Sequence, residues 1–444
     1  MNIPSYALEL IDLLESCGFE AWVVGGCVRD SFLGLEPNDW DLCTNASPEE
    51  MKTLFSTFQL VLSGEKHGTV GAVNRGKLLE ITTFRSEGGY ADSRHPQWVR
   101  FEKTVEEDLA RRDFTVNAMA YSPARGLADP WGGEKDLKAG ILRAVGDPVQ
   151  RFREDGLRIL RGVRFAARFG LRVQEETLRA MIQLAPTLSL QARERVFTEL
   201  CGFLPHAKAA DLLTFAPILT AAIPELAPMM GFLQNNPHHA WDVYTHTAHV
   251  VEAVPKKLSI RWAALLHDVA KPHTYRVDEL GIGHFNGHAK VGADMADGIL
   301  EGLRSPKALR QEVCTLIANH GLTRDLGHLD TDKPIRRLLR KLGQPLLRDL
   351  MALDRADMGS KGTPPEWGDL DRFQRRLDTI LEEAPCLKLS DLAIGGCDLM
   401  DLGIPRGQRI GLILHVLLDE VTDGALENSR PALLQRVEEL KNEY

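Results

Sequence analysis

The chain has 444 residues, which is too long for one compact domain and favours three or four units. Its net charge of −9 does not exclude locally basic faces, and the 44% of hydrophobic residues is usual for a soluble protein. The seven cysteines form no C-x-x-C pair, which argues against structural zinc. The most apolar stretch, residues 212–233, contains prolines and predicts short packed helices, not a membrane span. Without a signal-peptide pattern, we expect a reducing, cytoplasmic location.

The first distinctive pattern lies at residues 23–41. It predicts, in order, an apolar strand, the turn Gly25-Gly26, a short helix with Arg29, and a second strand carrying Asp39 and Asp41. Residues i and i+2 of a strand project from one face, so the two carboxylates would point the same way. Adjacent carboxylates repel each other unless a cation lies between them, and oxygen ligands suit Mg²⁺. Because backbone at a glycine turn can approach a phosphate, the pattern predicts a metal-bound triphosphate site.

A glycine turn or an Asp-x-Asp pair alone is common, but here both occur in a fixed order with Arg29 between them. In this order they resemble the active-site signature of the DNA polymerase β-like nucleotidyltransferases. The resemblance is to the branch that holds bacterial tRNA nucleotidyltransferases and poly(A) polymerases.

The next segment predicts a helix that begins after Ser47 and a hairpin of residues 66–73 and 77–84. The second strand of the hairpin carries Glu80 inside an apolar run. Because a buried acid needs a partner, Glu80 is either a third acid beside the metal ions or a surface residue of an edge strand, and the resemblance favours the first. Residues 86–99 are glycine-rich, polar and aperiodic, which predicts a mobile loop that covers the site.

The second pattern is Arg-Arg-Asp-Phe-Thr-Val-Asn-Ala at residues 111–118. These residue types by themselves also fit the solvated start of a helix. The run resembles a hallmark of the same branch of nucleotidyltransferases. This resemblance implies that Arg111 and Arg112 face the triphosphate and that Asp113 and Asn117 contact the sugar.

Residues 151–170 predict one helix with arginines along one side. Asp155 and Arg158 stand at i and i+3, so we expect each to hold the other's side chain in position. Their hydrogen-bonding groups suit a Watson–Crick edge, although such a pair is also a common surface ion pair. The Glu-Asp-x-x-Arg pattern resembles the element with which class II tRNA nucleotidyltransferases select CTP and ATP. It implies that nucleotides are bound by Asp155, Arg158, Arg161 and Arg164. Residues 194–200 resemble the family's next motif, which implies that they brace this helix.

Histidines concentrate from residue 238 onward. The run Leu-Leu-His-Asp-Val-Ala-Lys-Pro at residues 265–272 closely resembles the core of HD-domain phosphohydrolases. The resemblance implies a metal site with the ligands His246, His267, Asp268 and Asp357. Further candidates, for a second metal ion or for phosphate, are His288 and His320. Imidazole with carboxylate suits Mn²⁺, Ni²⁺, Co²⁺ or Fe²⁺ better than Mg²⁺. The structural alternative is a helical spacer with relic histidines.

The last part of the chain returns to helical periodicity. Several basic side chains in residues 333–348 predict either a face that follows RNA phosphates or an ordinary solvated surface. Residues 402–411 resemble the end region of HD-containing tRNA nucleotidyltransferases, and this implies a helical tail that meets the tRNA elbow.

Together these patterns predict an α+β chain. A small mixed sheet with helices, the polymerase β-like nucleotidyltransferase head, is followed by an extended all-α neck, an HD body and a tail. The head is placed at residues 1–145, the nucleotide-selecting neck at 146–230, the HD domain at 231–360 and the tRNA-binding tail at 361–444.

The resemblance covers essentially the whole chain and implies a class II tRNA nucleotidyltransferase. Such an enzyme adds and repairs the 3′-terminal CCA of tRNA from CTP and ATP without a nucleic-acid template. Transfer would use two Mg²⁺ ions at Asp39 and Asp41, assisted by Glu80, and release pyrophosphate. The arginines Arg29, Arg111 and Arg112 would neutralise the charge of the triphosphate. The HD domain adds a candidate second activity, the hydrolysis of 2′,3′-cyclic phosphates or phosphate esters.

Three alternatives stay open. An enzyme that adds only CC or only A shares nearly all of these motifs, although the intact segment 86–99 speaks against the first. A poly(A) polymerase shares the head motifs, but the HD domain and the short tail speak against it. In the third alternative, from another class, the HD hydrolase is the main activity and the head binds tRNA. The sequence does not predict the oligomeric state.

Overall fold

The computed structural model describes residues 1–90, 96–236, 239–383 and 386–441. The chain divides into two compact units, Met1–Pro224 and Glu225–Tyr444. Among the residues that the structure describes, no helix combines the length and the apolarity needed to cross a membrane.

The first unit joins a sheet to a helical segment. Its helices are α1 (Ser5–Ser16), α2 (Gly26–Phe32), α3 (Pro48–Leu54), α4 (Val105–Ala110), α5 (Gly133–Lys138), α6 (Pro148–Glu154), α7 (Leu157–Phe169), α8 (Glu175–Leu184), α9 (Arg193–Phe203), α10 (Ala209–Thr214) and α11 (Ala216–Ala222). Its strands are β1 (Ala21–Val24), β2 (Leu42–Thr44), β3 (Gln59–Val61), β4 (Thr69–Asn74), β5 (Lys77–Thr83), β6 (Arg85–Tyr90), β7 (Pro96–Phe101), β8 (Ala120–Ser122), β9 (Gly126–Ala128), β10 (Ile141–Leu142) and β11 (Arg172–Val173).

The main sheet has seven strands in the order β3-β4-β5-β2-β1-β8-β9. Strands β2 and β5 run parallel, and the other neighbouring pairs run antiparallel. Apolar side chains of its central strands, such as Trp22 and Cys43, pack with α4 in a buried cluster. The predicted mixed sheet with helices is therefore confirmed.

Local sequence signals account for several of these elements. Helix α3 begins as predicted, because the Ser47 side chain accepts the backbone N–H of Glu50 and completes a capping box. The hairpin of β4 and β5 turns at Arg75 and Gly76, whose φ angles are 50° and 75°. Positive φ at both central residues is what a two-residue hairpin turn requires, so this prediction is also confirmed.

The prediction of an aperiodic loop at residues 86–99 is wrong for the part that the structure describes. Strands β6 and β7 form an antiparallel hairpin, in which Gly88 pairs with Trp98. Residues 91–95 lie outside the described part. A Cβ on Gly88 would stand 2.6 Å from the Trp98 ring, so glycine is needed where the two strands meet. Because glycines have no side chain, they do not show the alternation of apolar and polar residues by which a strand is predicted.

The second unit is mainly helical and has one small two-stranded sheet. Its helices are α12 (Val243–Ala253), α13 (Leu258–Leu266), α14 (Lys271–Thr274), α15 (His288–Gly302), α16 (Lys307–Asn319), α17 (Leu322–Gly327), α18 (Lys333–Gly359, interrupted at Gly343), α19 (Gly368–Glu382), α20 (Gly396–Asp401), α21 (Gln408–Thr422) and α22 (Arg430–Leu440). Its strands are β12 (Arg276–Val277) and β13 (Gly283–His284).

Basic residues of α18 make ion pairs with acids of α21 and of the turn that follows it. Asp423 pairs with Lys333 at 2.9 Å and with Arg337 at 2.6 Å, and Arg340 pairs with Asp419. Exposed pairs of this kind contribute little stability each, but they engage these charges within the unit. The contacts favour the ordinary helix surface over a face that follows RNA phosphates.

Candidate functional site

The sequence pattern predicted that Asp39 and Asp41 lie on the second strand. In the structure they lie just before that strand, β2. Asp39 and Asp41 are exposed and flank the buried Trp40, and the two carboxylates are close enough for their charges to interact. Partial removal from water raises the pKa of Asp41, and the negative charges of Glu80 and Asp39 raise it further, while Arg112 opposes them. A cation between these carboxylates would relieve this repulsion, so the residues present fit a divalent metal.

Glu80 belongs to the same face of the sheet. The parallel register pairs Leu42 of β2 with Ile81 of β5, so the residues that directly precede them, Asp41 and Glu80, are neighbours. The expectation of a buried acid is wrong, because Glu80 is exposed between the buried Leu79 and Ile81. The edge-strand alternative is wrong as well, since β5 lies between β4 and β2.

The glycine turn allows an arginine to approach the backbone. Gly25 has a φ of 77°, and a Cβ there would lie 2.8 Å from Nη1 of Arg112. The backbone N–H of Gly25 donates to the carbonyl of Met119 at 3.0 Å, so this N–H is engaged within the protein. The next residue, Gly26, opens α2. Any larger residue at position 25 would push the Arg112 guanidinium away from the carboxylate of Asp41.

Asp108 positions both arginines of the second pattern. This wholly buried carboxylate accepts from Arg111 at 2.8 Å and from Arg112 at 3.2 Å. Burial by itself would raise the pKa of Asp108, but the two arginines outweigh it and the pKa is lowered. Nε of Arg112 is buried and has no hydrogen-bond partner among the described residues. The sequence patterns did not single out Asp108, although its spacing of three and four residues before the arginines was a usable signal.

The remaining residues of the head pattern form one hydrogen-bonded chain. Arg29 is buried, donates to Asp30 at 2.6 Å and to Asn117 Oδ1, and stacks 4.3 Å over the Phe169 ring. Asn117 in turn donates to Asp113 at 3.1 Å, and Asp113 accepts from Arg161 of α7 at 2.8 Å. The guanidinium of Arg29 is thus engaged by protein groups and ties α2 to the turn at Asn117.

The pKa of Asp113 provides a pH test of this chain. Burial would raise it, but Arg161 and Asn117 lower it to about 2 from the usual 3.8. Because the pKa of Asp113 is lower in the folded than in the unfolded protein, the ionised side chain stabilises the fold at pH values above the unfolded pKa. This contribution, about 2 kcal/mol, is lost as the pH falls from 4 to 2. We expect Asp113→Asn to lack this contribution and to show a shallower loss of stability over that interval.

The measurement is urea denaturation at pH 4 and pH 2, followed by hydrogen exchange of peptides from residues 105–122. Asp12→Asn, which changes an exposed carboxylate of α1, is the matched control and should behave as the wild type. Equal slopes for Asp113→Asn and the wild type would contradict the assignment.

The predicted helix of residues 151–170 is two helices, α6 and α7, separated at Asp155, which has a φ of −142° and a ψ of 105°. The Asp155 side chain accepts the N–H of Leu157 at 3.0 Å, which favours a break here because aspartate competes with helical hydrogen bonds. Asp155 and Arg158 therefore do not share a helical face, and they do not hold each other. Arg158 is buried and pairs with Glu154 at 2.7 Å.

Asp155 and Arg164 have their partners on α9. The sequence had predicted that Asp155 pairs within its own helix, with Arg158. Arg195 donates to Oδ2 of Asp155 at 3.1 Å, and Glu199 accepts from Arg164 at 2.6 Å. A Cβ on Gly202 would lie 2.4 Å from the Arg164 side chain, so the two helices pack closely. These contacts favour the bracing role that the resemblance implied for residues 194–200.

A second cluster lies in the other unit. Four histidines each place Nδ1 between 2.6 and 3.1 Å from a backbone carbonyl: His246 from Ser360, His267 from Ala264, His288 from Phe285, and His320 from Ile317. A carbonyl only accepts, so each Nδ1 carries a proton and Nε2 is the ring atom left to bind a metal ion. This outer hydrogen bond is usual for histidines that bind metals.

The Nε2 atoms converge on two carboxylates in two groups, and within each group the potential ligand atoms lie within 4.8 Å of one another. The groups are His246, His267 and Asp357, and Asp268, His288 and His320. Nε2 of His246 and Nε2 of His267 are buried without hydrogen-bond partners in the part of the chain that the structure describes, whereas Oδ2 of Asp268 pairs with Lys271 at 2.8 Å. Such atoms are costly unless a cation binds them, so the donor set fits divalent metal. The four predicted ligands are brought together, with the two further histidines beside them.

The two segments that carry these sites each match a known protein family. The family model of the poly A polymerase head domain matches residues 21–143, and that of the HD domain matches residues 238–359. The CCA-adding enzyme of Levilactobacillus brevis is 33% identical over 435 residues, which cover 97% of this chain and 96% of that protein. The chain belongs to the CCA-adding enzyme family. The CCA-adding enzyme of Latilactobacillus sakei is likewise 33% identical, over 97% of this chain and 96% of its own.

A solved CCA-adding enzyme has the same fold. The crystal structure of the Bacillus stearothermophilus CCA-adding enzyme in complex with CTP superposes with a TM-score of 0.72 at 27% identity, covering 100% of this chain and 99% of that one. The prediction of a tRNA nucleotidyltransferase with a polymerase β-like head and an HD domain is thereby confirmed at the level of the family.

Proposed function

We propose that this member of the CCA-adding enzyme family adds the 3′-terminal CCA to tRNA from CTP and ATP without a nucleic-acid template. The arrangement of Asp39, Asp41 and Glu80 on one face, with Arg112 beside them, is the observation that carries the proposal. The complex of the Bacillus stearothermophilus enzyme with CTP supports it.

In the proposed mechanism, Asp39 and Asp41 hold Mg²⁺. When bound, the metal supplies Lewis-acid activation of the tRNA 3′-hydroxyl and neutralises charge on the leaving pyrophosphate. Arg111 and Arg112, fixed on Asp108, are directed to the triphosphate, where planar guanidinium groups suit phosphate oxygens. Asp113 and Asn117 orient the sugar, and Arg29 positions Asn117.

Nucleotide choice is assigned to Asp155, at the break between α6 and α7, and to Arg158, Arg161 and Arg164 of α7. The protein holds each of the first two through a different neighbour, Arg195 for Asp155 and Glu154 for Arg158. The edge of an incoming base would then meet hydrogen-bonding groups whose orientation is already set. A wrong base would leave these groups without partners, and this penalty favours CTP and ATP over the other nucleotides.

This assignment predicts that Arg195→Ala relaxes base selection. Without the charge-assisted hydrogen bond to Asp155, we expect the preference for CTP and ATP over GTP and UTP to fall about tenfold, the equivalent of one such bond. The measurement is kcat/KM for each nucleotide on a tRNA substrate. Arg193→Ala, two positions earlier on α9, is the matched control and should keep the wild-type preference. Unchanged selection by Arg195→Ala would contradict the role of this contact.

One experiment tests the main proposal against its close alternatives. The protein is given tRNA that ends either at the discriminator base or at a supplied CC, with CTP and ATP singly and together, and the products are sequenced. CCA with both nucleotides is the expected result. Products that end in CC, in A only after a supplied CC, or in a long A tract would instead identify a CC-adding enzyme, an A-adding enzyme or a poly(A) polymerase.

The histidine cluster favours a second function, metal-dependent hydrolysis of phosphate esters, with 2′,3′-cyclic phosphates as the candidate substrates. The two groups of ligand atoms and the unpartnered Nε2 atoms of His246 and His267 carry this proposal. Their mixed imidazole and carboxylate chemistry suits Mn²⁺ or Ni²⁺ better than Mg²⁺. The alternative in which this hydrolase is the main activity differs in one respect: tRNA would bind the head without being extended.

A further inference from the structure

A polar cavity of about 390 Å³ lies next to the histidine cluster in the second unit. Its lining includes His239, Arg324, Lys361 and Glu366. The ring of His239 stands 5.4 Å from that of His246 in an edge-to-face contact, so the cavity adjoins the proposed metal ligands. A volume of this size suits a ligand as small as a mononucleotide.

Lys361 is the distinctive group in this cavity. The residue is 9% exposed, yet its ammonium makes no hydrogen bond and no ion pair with any residue that the structure describes. The other lysine of the cluster differs, because Lys271 pairs with Asp268 at 2.8 Å and donates to Gln234 at 2.8 Å. The Lys361 ammonium is therefore left to donate charge-assisted hydrogen bonds to an anion that enters the cavity.

The backbone around Lys361 is fixed on both sides. The carbonyl of Ser360 accepts Nδ1 of His246 at 3.1 Å, and the carbonyl of Lys361 accepts the N–H of Ala240 at 2.8 Å. Gly362 has a φ of 75°, and a Cβ there would lie 2.5 Å from Nε1 of Trp241. The position of Lys361 is therefore built by packing and hydrogen bonds, as expected for a binding group.

His239 offers a second unused polar atom in the same cavity. Its Nδ1 is buried and has no hydrogen-bond partner within the described ranges. The other charged groups of the lining are already paired or lie at the rim. Arg324 pairs with the neighbouring Asp325 at 3.0 Å, and Glu366 is exposed. Lys361 and His239 thus remain as the groups that a ligand would satisfy.

We propose that Lys361 and His239 bind the phosphate of a nucleotide-sized phosphate ester and present it to the histidine cluster. This inference rests on the proposed second function and assigns its substrate subsite. In the hydrolysis of a 2′,3′-cyclic phosphate, water oxygen forms a bond to phosphorus and one P–O bond to the ribose breaks. The released ribose oxygen takes the proton that the water gives up, and a nucleoside monophosphate remains. Lys361 neutralises the non-bridging oxygens throughout.

The test uses the full-length protein loaded with Mn²⁺. Hydrolysis of 2′,3′-cyclic AMP, binding of inorganic phosphate by calorimetry, and metal content are compared in the wild type, Lys361→Met, Lys361→Arg and His239→Gln. We expect Lys361→Met to raise KM at least tenfold and to weaken phosphate binding at least tenfold, with unchanged metal content and partial recovery in Lys361→Arg. The control Lys307→Met, which removes an exposed charge at the start of α16, should match the wild type.

The outcomes separate the subsite from the hydrolase. A wild type that hydrolyses the substrate, with KM and phosphate affinity unchanged in Lys361→Met, overturns the subsite. A wild type that binds phosphate through Lys361 without hydrolysis upholds the anion site and overturns the hydrolase. Absence of both activities overturns both. If circular dichroism shows that Lys361→Met is unfolded, Lys361→Gln replaces it in the same comparison.

Discussion

Asp39→Ala and Asp41→Ala are each expected to abolish nucleotide addition, with kcat falling about a thousandfold or more. Loss of a metal ligand removes several kcal/mol of transition-state stabilisation, and about 4 kcal/mol corresponds to a thousandfold in rate. Both side chains are exposed, and their removal relieves repulsion with Glu80, so we expect the fold to be retained. The measurement is incorporation of labelled CMP and AMP into tRNA by the purified, folded variants.

Asp12→Ala, which removes an exposed carboxylate elsewhere in the first unit, is the control and should leave incorporation unchanged. Incorporation by Glu80→Gln is expected to lie between that of the aspartate variants and that of the control, because Glu80 neighbours Asp41 through the strand register and is assigned an assisting role. Normal incorporation by either folded aspartate variant would refute the assignment of the metal ligands.

His267→Ala is expected to lower hydrolysis of 2′,3′-cyclic phosphates about a hundredfold and to reduce bound Mn²⁺ or Ni²⁺, with CCA addition unchanged. The imidazole supplies one of three atoms in its ligand group, and loss of such a ligand or its support costs ten- to a hundredfold in affinity or activity. The measurements are turnover, metal content by mass spectrometry and CCA addition on the same preparation.

Because His267 is buried, Asp357→Asn provides a second variant that keeps the side-chain shape. His273→Ala, which removes an exposed histidine of α14, is the control for a general loss of imidazole. Retained hydrolysis and metal in both ligand variants would contradict the metal centre. Loss of CCA addition together with hydrolysis would indicate that the two functions are coupled through folding.

Residue spacing predicted what depends on neighbours close along the chain. The alternation at Asp39, Trp40 and Asp41, and the turn at Arg75 and Gly76, follow from local backbone geometry, so the sequence was sufficient to predict them. The family resemblance rested on patterns of the same short range, and the comparisons confirmed it.

Partners distant along the chain could not be predicted in this way. Spacing paired Asp155 with Arg158, but the helix breaks between them and the partner of Asp155 is Arg195, forty positions later. The role of Lys361 was also hidden, because a lysine in a polar loop has no pattern that reveals burial without a partner. The burial of Lys361 in the lining of a cavity, beside the close packing of Gly362 against Trp241, appears only in the tertiary structure.

The amino-acid sequence by itself determined the chemistry that each segment carries: two carboxylates beside a glycine turn, paired arginines, and histidines around one His-Asp pair. It determined these because the reactive groups occur in short runs. The tertiary structure decided which groups are free to act. It engages Arg29 with Asp30 and Asn117, holds both arginines of the second pattern on Asp108, and leaves four imidazole Nε2 atoms directed at two carboxylates. Those outcomes depend on burial and on hydrogen bonds between distant elements, which no local pattern encodes.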